Sequence, residues 1–173
     1  LERQLAAPPE GGLFRPEEAA ALTVAAGLPG PVEAFAALTA EGWWREETSR
    51  EALRAPLLRL TATYLTRPNT GRPGIDPVAR FHLGNGARLE RINWLGNTSA
   101  RGMRESFGVM VNYLYDREAI EANHEAFVHS GQVMRSTAVD ALLHPPRGAA
   151  LPPSRSALAR LLGGEEKTGP KPG

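Results

Sequence analysis

The run from Gly108 to Tyr115 constrains this chain more than any other. It is built of strand-forming residues and is apolar on both faces, with Val109, Val111, Tyr113 and Tyr115 on one side and Met110 and Leu114 on the other. A strand of that kind is expected to be central, covered on both sides and flanked by further strands. Only one other run, Arg88 to Leu95, has comparable strand character. Two strands do not make a stable sheet alone. The chain also starts at Leu1, without an initiator Met. The expectation is therefore one part of a larger protein, whose remaining strands lie outside these 173 residues.

The region before the strands reads as helical through about Leu65. Glu2 to Ala6 resembles the tail of a helix stopped by Pro8 and Pro9. Pro16, followed by Glu17 and Glu18, opens a second helix that Gly27 closes. Pro31 opens a third, ending near Ala40. Ser49 is expected to cap a longer fourth helix carrying Leu53, Leu57, Leu60 and Tyr64 at helical spacing, kinked locally at Pro56. Trp43 and Trp44 just before it are expected to anchor the core between helices.

Pro68 to Pro73 reads as a loop. Asp76 caps a short helix with Pro77 at its first position, and Asn85-Gly86 turns the chain toward the first strand. Ser99 to Phe107 has room for one or two helical turns. Glu118 to Val128 and Thr137 to Leu143 read as helices joined by a turn at Ser130-Gly131. The fold class expected is α+β, with residues 1–66 mainly helical and 76–143 mixed. Pro and Gly punctuate everything from His144 on, so 144–173 is expected to be a disordered tail.

Charge narrows the function classes. Twenty basic and 19 acidic residues give a net charge of +1, and Arg and Glu alternate instead of forming a basic face, so no nucleic-acid partner is expected. The charges read as solvated helix faces. No apolar run approaches the ~18 residues of a membrane span, so no membrane partner is expected either. No signal peptide is visible, and the location expected is cytoplasmic. With no cysteine, disulfides, thiolate metal sites and a cysteine nucleophile are excluded.

Four histidines are the first candidates for chemistry. His124 and His129 lie in or beside a polar helix, and His144 opens the tail; all three read as solvated side chains. Glu121 and Glu125 flank His124, but a metal site needs further ligands that the sequence does not offer, so no metal is expected. His82 differs, because it ends a short capped helix just before a sharp turn, where a rigid element can aim it at a neighbouring strand. By default such a histidine is a satisfied core residue. Asn93, Asn112 and Tyr115 lie on the expected strands. Asparagine is depleted in strands, so the pair reads either as hydrogen-bonding to a neighbouring loop or strand end or as a polar wall of a cleft.

Three blocks carry a resemblance. They are Asp76-Pro-Val-Ala-Arg-Phe-His-Leu-Gly-Asn-Gly-Ala87, Arg91-Ile-Asn-Trp94 and Gly108-Val-Met-Val-Asn-Tyr-Leu-Tyr115. Their sequences and intervals resemble those of malonyl-CoA decarboxylases. Leu53-Arg-Ala-Pro-Leu-Leu-Arg-Leu60 agrees more loosely, and Ile120-Glu-Ala-Asn-His-Glu-Ala126 is similar to bacterial members. The likeness covers residues 1–143. It implies the later part of a catalytic domain similar to GNAT-type acyltransferases, preceded by helices.

The family's catalytic histidine lies in the Phe-His-Leu motif and carries over to His82, as the proton donor. Tyr115 and Asn93 are implied only as supporting polar groups. The family's catalytic serine lies in a Ser-Pro-Ile-Pro-Gly-Phe type segment. These 173 residues contain none, and the family's order places it upstream. The implied reaction takes malonyl-CoA to acetyl-CoA and carbon dioxide, with no cofactor, because the thioester itself accepts the electrons. The resemblance also implies homo-oligomers of the whole enzyme. The isolated chain is expected to be inactive. The alternative reading is a non-catalytic fragment or a helical assembly module.

Overall fold

In a computed structural model of the chain, residues 12–66 and 76–145 are described. The expected Glu2–Ala6 helix, the Pro68–Pro73 loop and the tail beyond Pro145 lie outside them. The described part is α+β, with seven α-helices and a two-stranded antiparallel sheet.

Helix α1 (Pro16–Ala26) ends where Gly27 turns left-handed at φ 65°, and α2 is Pro31–Leu38. A 3₁₀ turn at Trp43–Arg45 leads into α3 (Glu47–Thr66). Here the chain departs from expectation. Extended Glu46 (φ −90°, ψ 121°) precedes the helix, its carbonyl accepting from Arg50 N–H, so Ser49 falls inside the first turn instead of capping it. The helix also runs through Pro56, which is buried among its neighbours.

At 20 residues α3 is about 30 Å long and serves as the spine of the fold. From Ala52 to Leu60 it packs Ala52, Leu53, Leu57 and Leu60 against Leu22, Phe35, Leu38 and Trp43. Its end places Ala62 and Leu65 in a second cluster with Leu83, Leu89, Ile92, Phe127 and Val139. Trp94 borders both clusters. Trp43 is buried in the first, as expected, and Trp44 packs against it from a partly exposed position.

The reading of charges as solvated faces fails at one place. Glu18 and Arg59 are 5% and 13% exposed and form a two-pronged pair, with Nε donating to Oε1 at 2.7 Å and Nη2 to Oε2 at 2.6 Å. Glu18 also accepts the Arg15 backbone N–H, and Arg59 donates to the Leu13 carbonyl. Helical periodicity does not reveal this pair, because its partners are 41 residues apart.

Beyond the spine come α4 (Pro77–Gly84), β1 (Arg88–Asn93), α5 (Ala100–Ser106), β2 (Met110–Leu114), α6 (Ile120–Ser130) and α7 (Thr137–Leu143). Asp76 caps α4 by accepting from Val78 and Ala79 N–H, as its position predicts. The strands pair with Leu89 opposite Tyr113 and Ile92 opposite Val111, and a bulge at Glu90 interrupts the register.

The expectation that Gly108–Tyr115 is covered on both sides is not met among the described residues. There β2 has one partner, with Val111 and Tyr113 half-buried and Met110, Asn112 and Leu114 exposed. Its apolar pattern asks for more cover than these residues provide. On the far edge of β1 a short parallel contact stands in for a strand. Leu89 N–H donates to Met134 O and Ser136 N–H donates to Leu89 O, which seats α7 against the sheet. Among the described residues no single helix is long and apolar enough to cross a membrane.

Candidate active site

His82 sits on the last turn of α4, half-buried, where the helix meets the sheet. Its imidazole lies flat on the ring of Tyr113, with centroids 4.5 Å apart and planes inclined by 15°. Its Nδ1 stands 2.9 Å from the Tyr115 hydroxyl, a hydrogen bond in which either partner can donate. Phe81, itself exposed, meets it edge-on. Tyr113 and Tyr115 reach the same histidine because residues two apart in an extended chain share a face. With Nδ1 engaged by Tyr115, Nε2 has no hydrogen-bond partner among the described residues.

The polar groups around this imidazole are ordered unequally. Burial, and secondarily the negative charge of Asp76, push the Tyr113 phenol up to about 12. The ring under His82 therefore stays neutral across the physiological range and offers the imidazole a face without net charge. Tyr115 is more exposed and contributes its hydroxyl.

The carbonyls that end α4 are all bonded. A helix leaves its last four carbonyls without intrahelical partners. Here Asn85 N–H serves Phe81 and His82, Ala87 N–H also serves His82, and Gly86 N–H serves Leu83. The fourth carbonyl, Gly84, accepts from His124 Nδ1 at 2.6 Å, and the Gly86 carbonyl accepts from Asn123 Nδ2 at 3.1 Å. Gly86 is at φ 80°, and a Cβ there would run into the Ile120 backbone carbonyl, so only glycine fits the turn.

Of the residues singled out in the sequence, His82 and Tyr115 come together and Asn93 does not join them. Asn93 donates to Asn112 Oδ1 at 2.5 Å and to the Met110 carbonyl on the opposite face of the sheet from Tyr113. His129 and His144 are exposed, and His144 lies 3.4 Å from Asp140. His124 is exposed as read, yet it is tethered through Nδ1. Sequence reasoning passed over Tyr113 and Asn123. Tyr113 was legible from its spacing to Tyr115, whereas Asn123, 6% exposed in a polar-looking helix, gave no signal.

An imidazole held by a tyrosine face and a tyrosine hydroxyl, at the junction of a helix and a sheet in an α+β domain, has the makings of an acid–base centre. The chain belongs to the malonyl-CoA decarboxylase C-terminal domain family, whose model matches residues 13–151. It is 34% identical over 131 residues to the mitochondrial malonyl-CoA decarboxylase of Mus musculus, covering 76% of this chain and 27% of that protein. It is 43% identical over 102 residues to the mitochondrial malonyl-CoA decarboxylase of Anser anser anser, covering 59% and 20%. The crystal structure of malonyl-CoA decarboxylase from Rhodopseudomonas palustris matches with a TM-score of 0.65 and 39% identity, over 82% of this chain and 29% of that one.

The chain thus spans between a fifth and a third of the length of these relatives. The mitochondrial names of the mouse and goose proteins overturn the expectation of a purely cytoplasmic protein. Compartment is written in leader segments and not in the packing of a folded domain, so the residues read here did not carry it.

Proposed function

We propose that this chain is the later part of a malonyl-CoA decarboxylase catalytic domain and that His82 is its proton donor. Breaking the bond between the carboxylate carbon and the α-carbon releases carbon dioxide and leaves the electron pair on the thioester as an enolate. The α-carbon then takes a proton from the imidazole, giving acetyl-CoA, and solvent restores that proton. Imidazole suits the step because it ordinarily exchanges protons near neutrality. Tyr115 holds Nδ1, which directs Nε2 to the substrate, and the Tyr113 face fixes the plane of the ring.

The observation that carries this reading is the geometry of His82, anchored at one nitrogen and open at the other. The open edge of β2 supports a larger sheet, of the kind found in GNAT-type acyltransferases, completed by other segments of the whole protein. Family membership supports malonyl-CoA as substrate, and the whole enzyme is proposed to assemble as a homo-oligomer through its helical regions.

The test is turnover of malonyl-CoA by the native-length polypeptide containing these residues. His82→Gln, which fills the space but delivers no proton, is expected to lose about 10²–10⁴-fold in kcat. His129→Ala, on an exposed side chain, is expected to match the parent. A His82→Gln protein of lowered melting temperature but near-normal turnover would return His82 to a structural role. The 1–173 chain alone is expected to be inactive, because it spans less than a third of its relatives' length, and positioning and charge stabilisation supply most of such a rate.

A further inference from the structure

We propose that Asn123 and His124 are positioning residues for His82, acting as a two-point clamp from α6 onto the turn that carries it. The proposal rests on the proton-donor reading of His82 and adds the device that sets its geometry. Consecutive side chains of α6 take hold of two carbonyls, Gly84 by His124 Nδ1 at 2.6 Å and Gly86 by Asn123 Nδ2 at 3.1 Å. These carbonyls lie two and four residues after His82. The Gly84 carbonyl is the one α4 terminus that the turn's own backbone leaves unserved.

The same two glycines touch α6 through packing. A Cβ at Gly84 would meet the Phe127 ring at 3.9 Å, and one at Gly86 would collide with Ile120. The end of α4 therefore has little freedom to translate along α6 while both side-chain bonds hold. The imidazole is aimed by what lies on the other side of it, Tyr113 of β2 and Tyr115 just beyond the strand's end. His82 is thus caught between two elements, and its stacking distance is set by how firmly α6 holds α4 against the sheet.

Asn123 is buried at 6% exposure, and its amide makes the only side-chain hydrogen bond to Gly86 among the described residues. His124 is exposed, so replacing it removes a hydrogen bond without opening a cavity. That difference makes His124 the cleaner probe. Asparagine at that position places its Nδ2 where the imidazole Nδ1 stood and can still donate, whereas alanine cannot.

The experiment has two readouts. The first is the imidazole proton resonance of His82 in the full 173-residue chain, assigned by its disappearance in His82→Gln. Stacked over Tyr113, it is expected upfield of the His129 resonance by the ring current. The second is kcat against KM for malonyl-CoA in the native-length polypeptide. In His124→Ala the His82 resonance is expected to move toward that of His129, and kcat to fall about ten-fold or more with KM little changed. His124→Asn is expected to restore both. Asn123→Ala is expected to act in the same direction, and if it fails to fold the His124 pair decides.

A folded His124→Ala chain with the His82 resonance unmoved overturns the clamp, as does one in which the resonance moves but kcat does not while His82→Gln is inactive. If instead His82→Gln turns over normally and the resonance still responds to His124, the proton-donor reading falls and the clamp stands as a geometric device.

Discussion

The His82 imidazole lies on the Tyr113 ring at 4.5 Å and 15°, so the plane of the histidine is set by a strand residue 31 positions later in the chain. Replacing Tyr113 by Phe keeps that face and removes only a hydroxyl, while Leu keeps apolar bulk and removes the face. Tyr113→Phe is expected to leave kcat within a few-fold of the parent. Tyr113→Leu is expected to lower it further, by up to about ten-fold, since such ring contacts are worth about 0.5–1.5 kcal/mol. Steady-state turnover of the two variants in the native-length polypeptide checks the order. Equal values would show that the stack does not matter for catalysis.

Alkaline titration isolates the same residue. The Tyr113 phenol is raised from 10.0 to about 12, chiefly by burial. In the unfolded chain it ionises near the ordinary value, so its contribution to stability is complete below pH 10 and is lost as pH rises toward about 12. Between these values the parent is expected to lose stability faster than Tyr113→Phe, which has no phenol to ionise there. Urea unfolding of both chains across that range measures it, and parallel curves would contradict the shift.

Arg59→Met is expected to cost about 3–5 kcal/mol, because it leaves the Glu18 carboxylate buried without its cation. Adding Glu18→Leu is expected to recover a large part of that loss, since replacing both members with apolar groups removes the stranded charge. Denaturant midpoints of the single and double variants test this. A single variant as stable as the parent would mean that water reaches Glu18.

Helix placement was legible in residue order because the signals are local. Pro16, Pro31 and Pro77 each open a helix, and Gly27 and Gly131 close helices in the left-handed conformation that favours glycine. The two strands were legible for the same reason, the first shorter only at its C-terminal end and the second at both ends. The N-terminus of α3 was not, because the 3₁₀ turn at Trp43–Arg45 leads through Glu46 into the helix ahead of the serine that looked like its cap. The candidate site was legible in half. His82 and Tyr115 stood out by motif, and Asn93 stood out for being an asparagine in a strand, a signal that does not say which face it occupies.

What the sequence determined by itself is what neighbours within a turn or a strand can enforce: the α+β class, the order of elements and the position of His82 at a helix end. Only the tertiary structure decided which side chains meet across the chain. It joined Glu18 to Arg59, laid His82 on Tyr113, turned Asn93 to the far face and brought Asn123 and His124 onto the turn behind His82. The physical reason is distance along the chain. Caps and periodicity act over three or four residues, whereas those contacts join residues from 19 to 41 positions apart, which only the packed chain brings together.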